Sequence, residues 1–207
     1  MIAIVDYGVG NLFSLKSSFA AIGEEAAVTA DAQVIATAER VILPGVGAFG
    51  DAADKLRETG LDRAVLAAAA AGTPLMGICL GMQLLFDAGE EFGTHAGLGL
   101  IAGTVKPIAD VIPRDLKVPQ IGWNALQLTE PKHAIFRHIN DGDCVYFVHS
   151  FAGMDCAPSV IATTEYGAPL TAAVAKGNVC GCQFHPEKSG KVGLAILKGF
   201  CEWEGTV

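Results

Sequence analysis

This sequence has little charge. Only 17% of its 207 residues are Asp, Glu, Lys or Arg, and the 14 basic residues never gather into a run of five. Phosphate backbones are held by clustered Lys and Arg, so the pattern, with a net charge of −8, argues against nucleic acid as a partner. A local site for a small anion stays open on an acidic protein. Long hydrophobic runs are missing too. The longest apolar stretch, alanine-rich around 66–71, is far too short to span a bilayer, so no membrane partner is expected. The opening residues "MIAIVDYGVGN" lack a basic start and reach Asp6 after five residues, which does not fit a signal peptide. The expected location is the cytoplasm. No repeat, linker or low-complexity tract divides the chain, and one domain over 1–207 is expected.

Apolar residues make up 51% of the chain, enough for a substantial core. Six cysteines, at 79, 144, 156, 180, 182 and 201, have no secretion signal beside them, so reduced thiols are expected rather than a disulfide framework. Cys180 and Cys182 sit in "NVCGCQF", which alternates like a strand. That puts both sulfurs on one face and favours core over a metal or redox pair. Strand followed by helix recurs three times in the first half. "IAIVD" leads to a helix from an Asn11 cap to about Ala21. "RVIL" leads to helical residues 51–71, broken near Gly60. "PLMGI" leads to a helix over Leu80–Phe86. This repetition predicts a parallel sheet with helices on its faces. After Gly89 short strands dominate and predict mixed or antiparallel pairing, before a last helix from about Val192 to Trp203.

Within "TPLMGICLGMQLLF", Cys79 stands between Gly77 and Gly81 at G-x-C-x-G spacing. A sharp strand-to-helix turn there lifts a side chain into a cleft and aims free N–H groups at it, which suits a thiolate nucleophile. The motif alone leaves a buried structural thiol equally open. A thiol nucleophile needs a base. His95, His133 and His138 lie in polar contexts that predict surface placement. His149, ending "YFVH", fits a functional role or a simple structural hydrogen bond. His185, in "CQFHPEKS", ends an apolar strand, where active-site residues gather in α/β folds. Glu187, two residues on, can orient its imidazole; a His-Pro turn with a solvated carboxylate is the plain alternative. The "PGVG" loop (44–47) is a plain turn or a place where backbone approaches a ligand and an N–H receives an oxyanion. It is not a Walker loop, because no Gly-Lys-Ser/Thr follows.

"PGVGAFGD", "GICLGMQLL" and "QFHPEKS", in this order, together resemble the class I (triad-type) glutamine amidotransferases, over essentially the whole chain. "DYGVGN", "QIGWN", "YFVHSF", "TTEY" and "HPEKS" bring the resemblance closer to the glutaminase subunits that serve histidine biosynthesis. Glutaminases of other synthases, such as pyridoxal phosphate synthase, share the triad; "GWN" and "YFVHS" favour the histidine pathway. The resemblance implies an α/β fold in which a central, mostly parallel mixed sheet is flanked by helices and joined by a smaller antiparallel sheet. It implies L-glutamine as substrate and no cofactor or metal. Cys79 would attack the side-chain amide, with His185 as base and acid and Glu187 orienting it. The oxyanion would rest on the N–H of Leu80 and, after a local rearrangement, of Val46. The amino-acid end of glutamine would meet Gly47, Gln83, Ser150 and Phe151. Ammonia would pass to a (β/α)8-barrel cyclase subunit that makes imidazole glycerol phosphate and an aminoimidazole carboxamide ribotide, with Asn11, Trp123, Tyr146 and Lys188 at or near that interface. Glutaminase activity would stay low until the partner is ligated. Spacing alone reads those four residues as a helix cap, two core aromatics and a solvated charge.

Overall fold

In the computed structural model, which describes residues 1–205, the apolar run at the start forms β1 (Ile2–Val5), buried at all four positions. The last two residues of the expected domain, 206–207, lie outside the described residues. Helix α1 (Leu12–Ala21) follows, packing Leu15 and Phe19 inward. Its N-cap is Asn11, but the Asn11 side chain makes no capping hydrogen bond, contrary to the capping role expected of it. Next come β2 (Ala26–Thr29), α2 (Ala32–Ala36), β3 (Arg40–Leu43), α3 (Phe49–Glu58) and α4 (Leu61–Ala70). Gly60 takes a left-handed conformation between the last two, so the expected break is real.

Strand β4 (Leu75–Ile78) leads into α5 (Leu80–Leu84), which is shorter than expected. Phe86 is not helical: it opens β5 (Phe86–Gly89), where its fully buried ring fills the space above Gly153. Then follow β6 (His95–Ala96), β7 (Ile101–Pro107), β8 (Gln120–Ala125), β9 (Gln127–Leu128), β10 (Cys144–His149) and β11 (Phe151–Met154). The chain ends with β12 (Val160–Glu165), β13 (Pro169–Lys176), β14 (Val179–Cys182) and α6 (Gly190–Glu202).

Eight strands form the central sheet in the order β2-β1-β3-β4-β14-β13-β12-β9. The pairs from β2 to β14 are parallel and the rest antiparallel. Strands β8 and β10 form an antiparallel pair. A four-stranded sheet, β11-β7-β5-β6, is antiparallel except between β5 and β7. Hydrophobic clusters lie on both faces of the central sheet. Cys180 and Cys182 are fully buried in one of them, as their alternation predicts. Among the described residues no helix is long and apolar enough to cross a membrane.

This topology places four loops side by side at the carboxyl ends of parallel strands. They follow β1, β3, β4 and β14, the edge where open α/β sheets hold their ligands.

Candidate active site

Cys79 sits between β4 and α5 at φ 55° and ψ −114°, a conformation that L-residues rarely hold. Its N–H donates to Cys182 O at 2.8 Å, tying the turn to β14, and its carbonyl accepts from Gln83 N at 3.1 Å. The flanking glycines are there for space. A Cβ on Gly81 would stand 1.8 Å from Leu43 O, and one on Gly77 would stand 2.6 Å from Gly81 O. Both contacts are with backbone, which has little room to yield. Since α5 has only five residues, support for charge at its start comes from individual N–H groups rather than from a long helix dipole.

His185 follows β14 and is 3% exposed. Its N–H donates to Tyr146 O at 3.0 Å, and its carbonyl accepts from Ser189 Oγ at 2.6 Å, so neighbouring backbone fixes the imidazole's base. Nδ1 lies 2.8 Å from Glu187 Oε1, and the Glu187 side chain is 1% exposed. Burial pulls the imidazole towards neutrality. The Cys79 thiol and the Glu187 carboxylate outweigh that pull and raise its pKa to about 9. The imidazole is therefore held ready to carry a proton beside the sulfur. Glu187 Oε2 is buried without a hydrogen-bond partner, so the carboxylate is directed at the imidazole through its other oxygen.

These groups meet at an open pocket of about 370 Å3. Of the residues that sequence reasoning selected, Val46, Gly47, Cys79, Leu80 and Gln83 line it from the β3 and β4 loops. Ser150, Phe151, His185 and Lys188 close it from the other side. Among the described residues, the N–H groups of Val46, Gly47 and Leu80 find no hydrogen-bond partner within the chain, so they are free to receive a ligand. Tyr7, 2% exposed, lies beneath the 44–47 loop and donates to Pro44 O at 2.7 Å. Burial, with Cys79 adding to it, raises the Tyr7 pKa well above its ordinary value, so its hydroxyl remains a donor.

Glu187 does not line the pocket; it stands behind His185. Asn11, Trp123 and Tyr146 also lie outside it. Trp123 and Tyr146 face each other across β8 and β10, with ring centroids 6.0 Å apart in an edge-on arrangement. Lys188 Nζ stands 5.9 Å from the Tyr146 ring centroid and so joins this aromatic pair to the pocket. Trp123 is not a core residue, as spacing alone suggested: it is 56% exposed, beside Ile121 at 60%.

Four further residues matter here. Glu91 lines the pocket and accepts from Phe49 N at 2.8 Å. Nothing in "GEEFGT" distinguishes it from a solvated carboxylate. His149 lines the pocket but is held at both ring nitrogens. Nδ1 meets Phe151 O at 2.8 Å and Nε2 meets the Gln120 amide at 3.0 Å. Burial lowers its pKa to about 4, so it is neutral, with Nδ1–H donating to the carbonyl. Its Nε2 then needs a donor but faces Gln120 Oε1; exchanging the oxygen and nitrogen of that amide supplies the donor and partners the otherwise unpaired Gln120 Nε2. Gln183 is fully buried against Cys79. His133, expected at the surface, is only 9% exposed and packs edge-on against Trp203 at 5.1 Å, with its pKa lowered by burial. The surface expectation fails because Trp203 arrives from the far end of the chain.

The chain matches the family model for "Glutamine amidotransferase class-I" over residues 3–202. It is 46% identical to "Imidazole glycerol phosphate synthase subunit HisH" of Syntrophotalea carbinolica, over 97% of this chain and 98% of that protein. It is 48% identical to the protein of the same name from Geobacter metallireducens, over 96% of each. The structure of PurLQS from Thermotoga maritima shares the fold, with a TM-score of 0.76 at 20% identity over 97% of both chains. By this match across nearly its whole length, the chain belongs to the class I glutamine amidotransferase family.

Proposed function

We propose that this chain is the glutaminase subunit of an imidazole glycerol phosphate synthase, hydrolysing L-glutamine and passing ammonia to a (β/α)8-barrel cyclase subunit. The observation that carries the chemistry is that Cys79 and His185 line one pocket, with Glu187 behind His185 and bonded to its Nδ1. The histidine-pathway assignment rests on relatives of 46–48% identity over nearly full length.

Cys79 Sγ attacks the side-chain carbonyl carbon of glutamine as a thiolate, with the thiol proton held on His185. The carbonyl oxygen becomes an oxyanion, received by the N–H groups of Leu80 and Val46. His185 then gives its proton to the departing nitrogen, and ammonia leaves a cysteinyl thioester. Water, deprotonated by His185, attacks the thioester and releases glutamate. Glu187 keeps the imidazole turned towards sulfur and stabilises its charged form. Gly47, Gln83, Ser150 and Phe151 hold the amino-acid end, and Glu91 supplies a carboxylate for its ammonium group. The exposed Trp123, with Tyr146 and Lys188 behind it and Asn11 nearby, forms the partner face.

The test is to mix the chain with the cyclase subunit and its phosphorylated ribulosyl-formimino substrate. Glutamine-dependent formation of imidazole glycerol phosphate is the expected result. Its absence, with ammonia-dependent formation by the cyclase intact, would overturn the assignment.

A further inference from the structure

Gln183 lies in an apolar strand context between Cys182 and Phe184, and all three are fully buried. Burying a carboxamide among apolar neighbours is costly unless both of its polar atoms are paired. A methionine would fill the same space without that cost. Gln183 meets the requirement through two residues of the site. Its Oε1 accepts from Gln83 Nε2 at 2.9 Å, and its Nε2 donates to Cys79 Sγ at 3.8 Å. Gln83 Nε2 spends its other hydrogen on Phe151 O at 3.0 Å. With both hydrogens committed, the Gln83 amide has one orientation, and its own Oε1 is left as an acceptor at the pocket.

The geometry points to Gln183 as a positioning residue for the glutaminase reaction, one that stabilises the Cys79 thiolate through Nε2–H and fixes Gln83 through Oε1. This assignment rests on the proposed function. A neutral thiol is a weak acceptor, whereas a thiolate takes a charge-assisted hydrogen bond. The same N–H therefore favours the ionised nucleophile over the resting thiol. Once the thioester forms, sulfur loses its charge and that bond weakens, so the contribution falls on the attacking state. Through one amide, thiol ionisation and the orientation of a substrate contact are set together.

The test reads the thiol directly in the full chain. Alkylation of Cys79 by iodoacetamide is followed against pH by mass mapping, in the unaltered protein and in Gln183→Met. The other titratable groups around the sulfur are His185 beyond β14, with Glu187 behind it, Cys182 on β14, and Tyr7 beneath the loop. Glu91, His149 and Lys188 line the same pocket. All are common to both proteins, so the difference isolates Gln183. The midpoint is expected to rise by about one pH unit in the variant. The glutamine concentration that half-protects Cys79 is expected to rise roughly fivefold, the scale of one weakened hydrogen bond. An unchanged midpoint in a cooperatively folded variant overturns the assignment; Gln183→Leu replaces the methionine variant if that one fails to fold. In the unaltered protein, the Gln183 side-chain amide resonance is expected to move with the thiol's midpoint, and a flat resonance overturns the assignment equally. Cys79 that is neither alkylated nor protected by glutamine in the unaltered protein instead overturns the glutaminase reading, and this assignment with it.

Discussion

Gly81 stands so close to Leu43 that a Cβ on the first would lie 1.8 Å from the carbonyl oxygen of the second. The nucleophile turn and the end of β3, from which the 44–47 loop departs, are therefore in direct backbone contact. Gly45 adds to this contact, since a Cβ there would meet Gly81 N at 2.8 Å and the Tyr7 hydroxyl at 2.9 Å. The sulfur and the N–H groups of the 44–47 loop are placed relative to each other by main chain, with no flexible side chain between them.

Gly81→Ala is expected to push these two segments apart. The strain costs about 3 kcal/mol or more, at the upper end for overpacked sites. A displacement near 1 Å costs on the order of 10²-fold in kcat even where the protein folds. Urea unfolding and glutamine turnover in the complex measure the two effects separately.

Glu187→Gln keeps the shape and a hydrogen-bonding atom but removes the charge that helps raise His185 to about 9. The His185 pKa is expected to fall, and kcat to drop by on the order of 10²-fold or more, as when an orienting carboxylate is neutralised in a triad. Histidine NMR titration and steady-state kinetics check this.

Three buried histidines give stability a pH dependence, two of them opposite in sign to the third. His149 is lowered to about 4, so the unfolded chain takes its proton first. Its contribution is present above pH 6.5 and is lost as pH falls from there through 4, by up to about 3 kcal/mol. His133 is lowered by burial as well and adds in the same direction. His185 is raised to about 9, so the folded chain holds its proton longer; its contribution is present below pH 6.5 and is lost as pH rises through 9. Stability is expected to peak near neutrality. His149→Gln, followed by urea midpoints from pH 7 to 4, is expected to flatten the acid limb.

Trp123→Ala is expected to leave the fold within roughly 0.5 kcal/mol, because the side chain is largely exposed. Binding to the cyclase subunit is expected to weaken by about 30-fold or more, the cost of truncating an aromatic anchor. Calorimetric titration of the cyclase and thermal unfolding of the free chain distinguish the two.

The residues legible in the sequence were those whose partners lie a few positions away. G-x-C-x-G marks its own turn, and His185 and Glu187 are two residues apart on one strand end. Helix α2 was missed because it is a single turn with one buried residue, Ile35, and too little periodicity to register. Spacing alone places Trp123 in the core because β8 inverts the usual alternation, with polar Gln120 inside and Ile121 and Trp123 outside. Exposed apolar side chains on such a strand fit the proposed partner face. Gln183 stood inside a quoted motif, yet its two contacts, Gln83 and Cys79, are about a hundred positions away and only the sheet brings them together. Glu91 has the same difficulty in a polar loop.

The central claim is that Cys79 is the nucleophile. Its most direct test is covalent labelling by an electrophilic glutamine analogue, in the complex with the cyclase subunit and its ligand, with the modified residue located by mass spectrometry. One label per chain on Cys79, blocked by L-glutamine and absent in Cys79→Ser, is the predicted result. A chain that stays unlabelled at Cys79 while fully folded and partnered, or that hydrolyses glutamine unimpaired as Cys79→Ser, would contradict it.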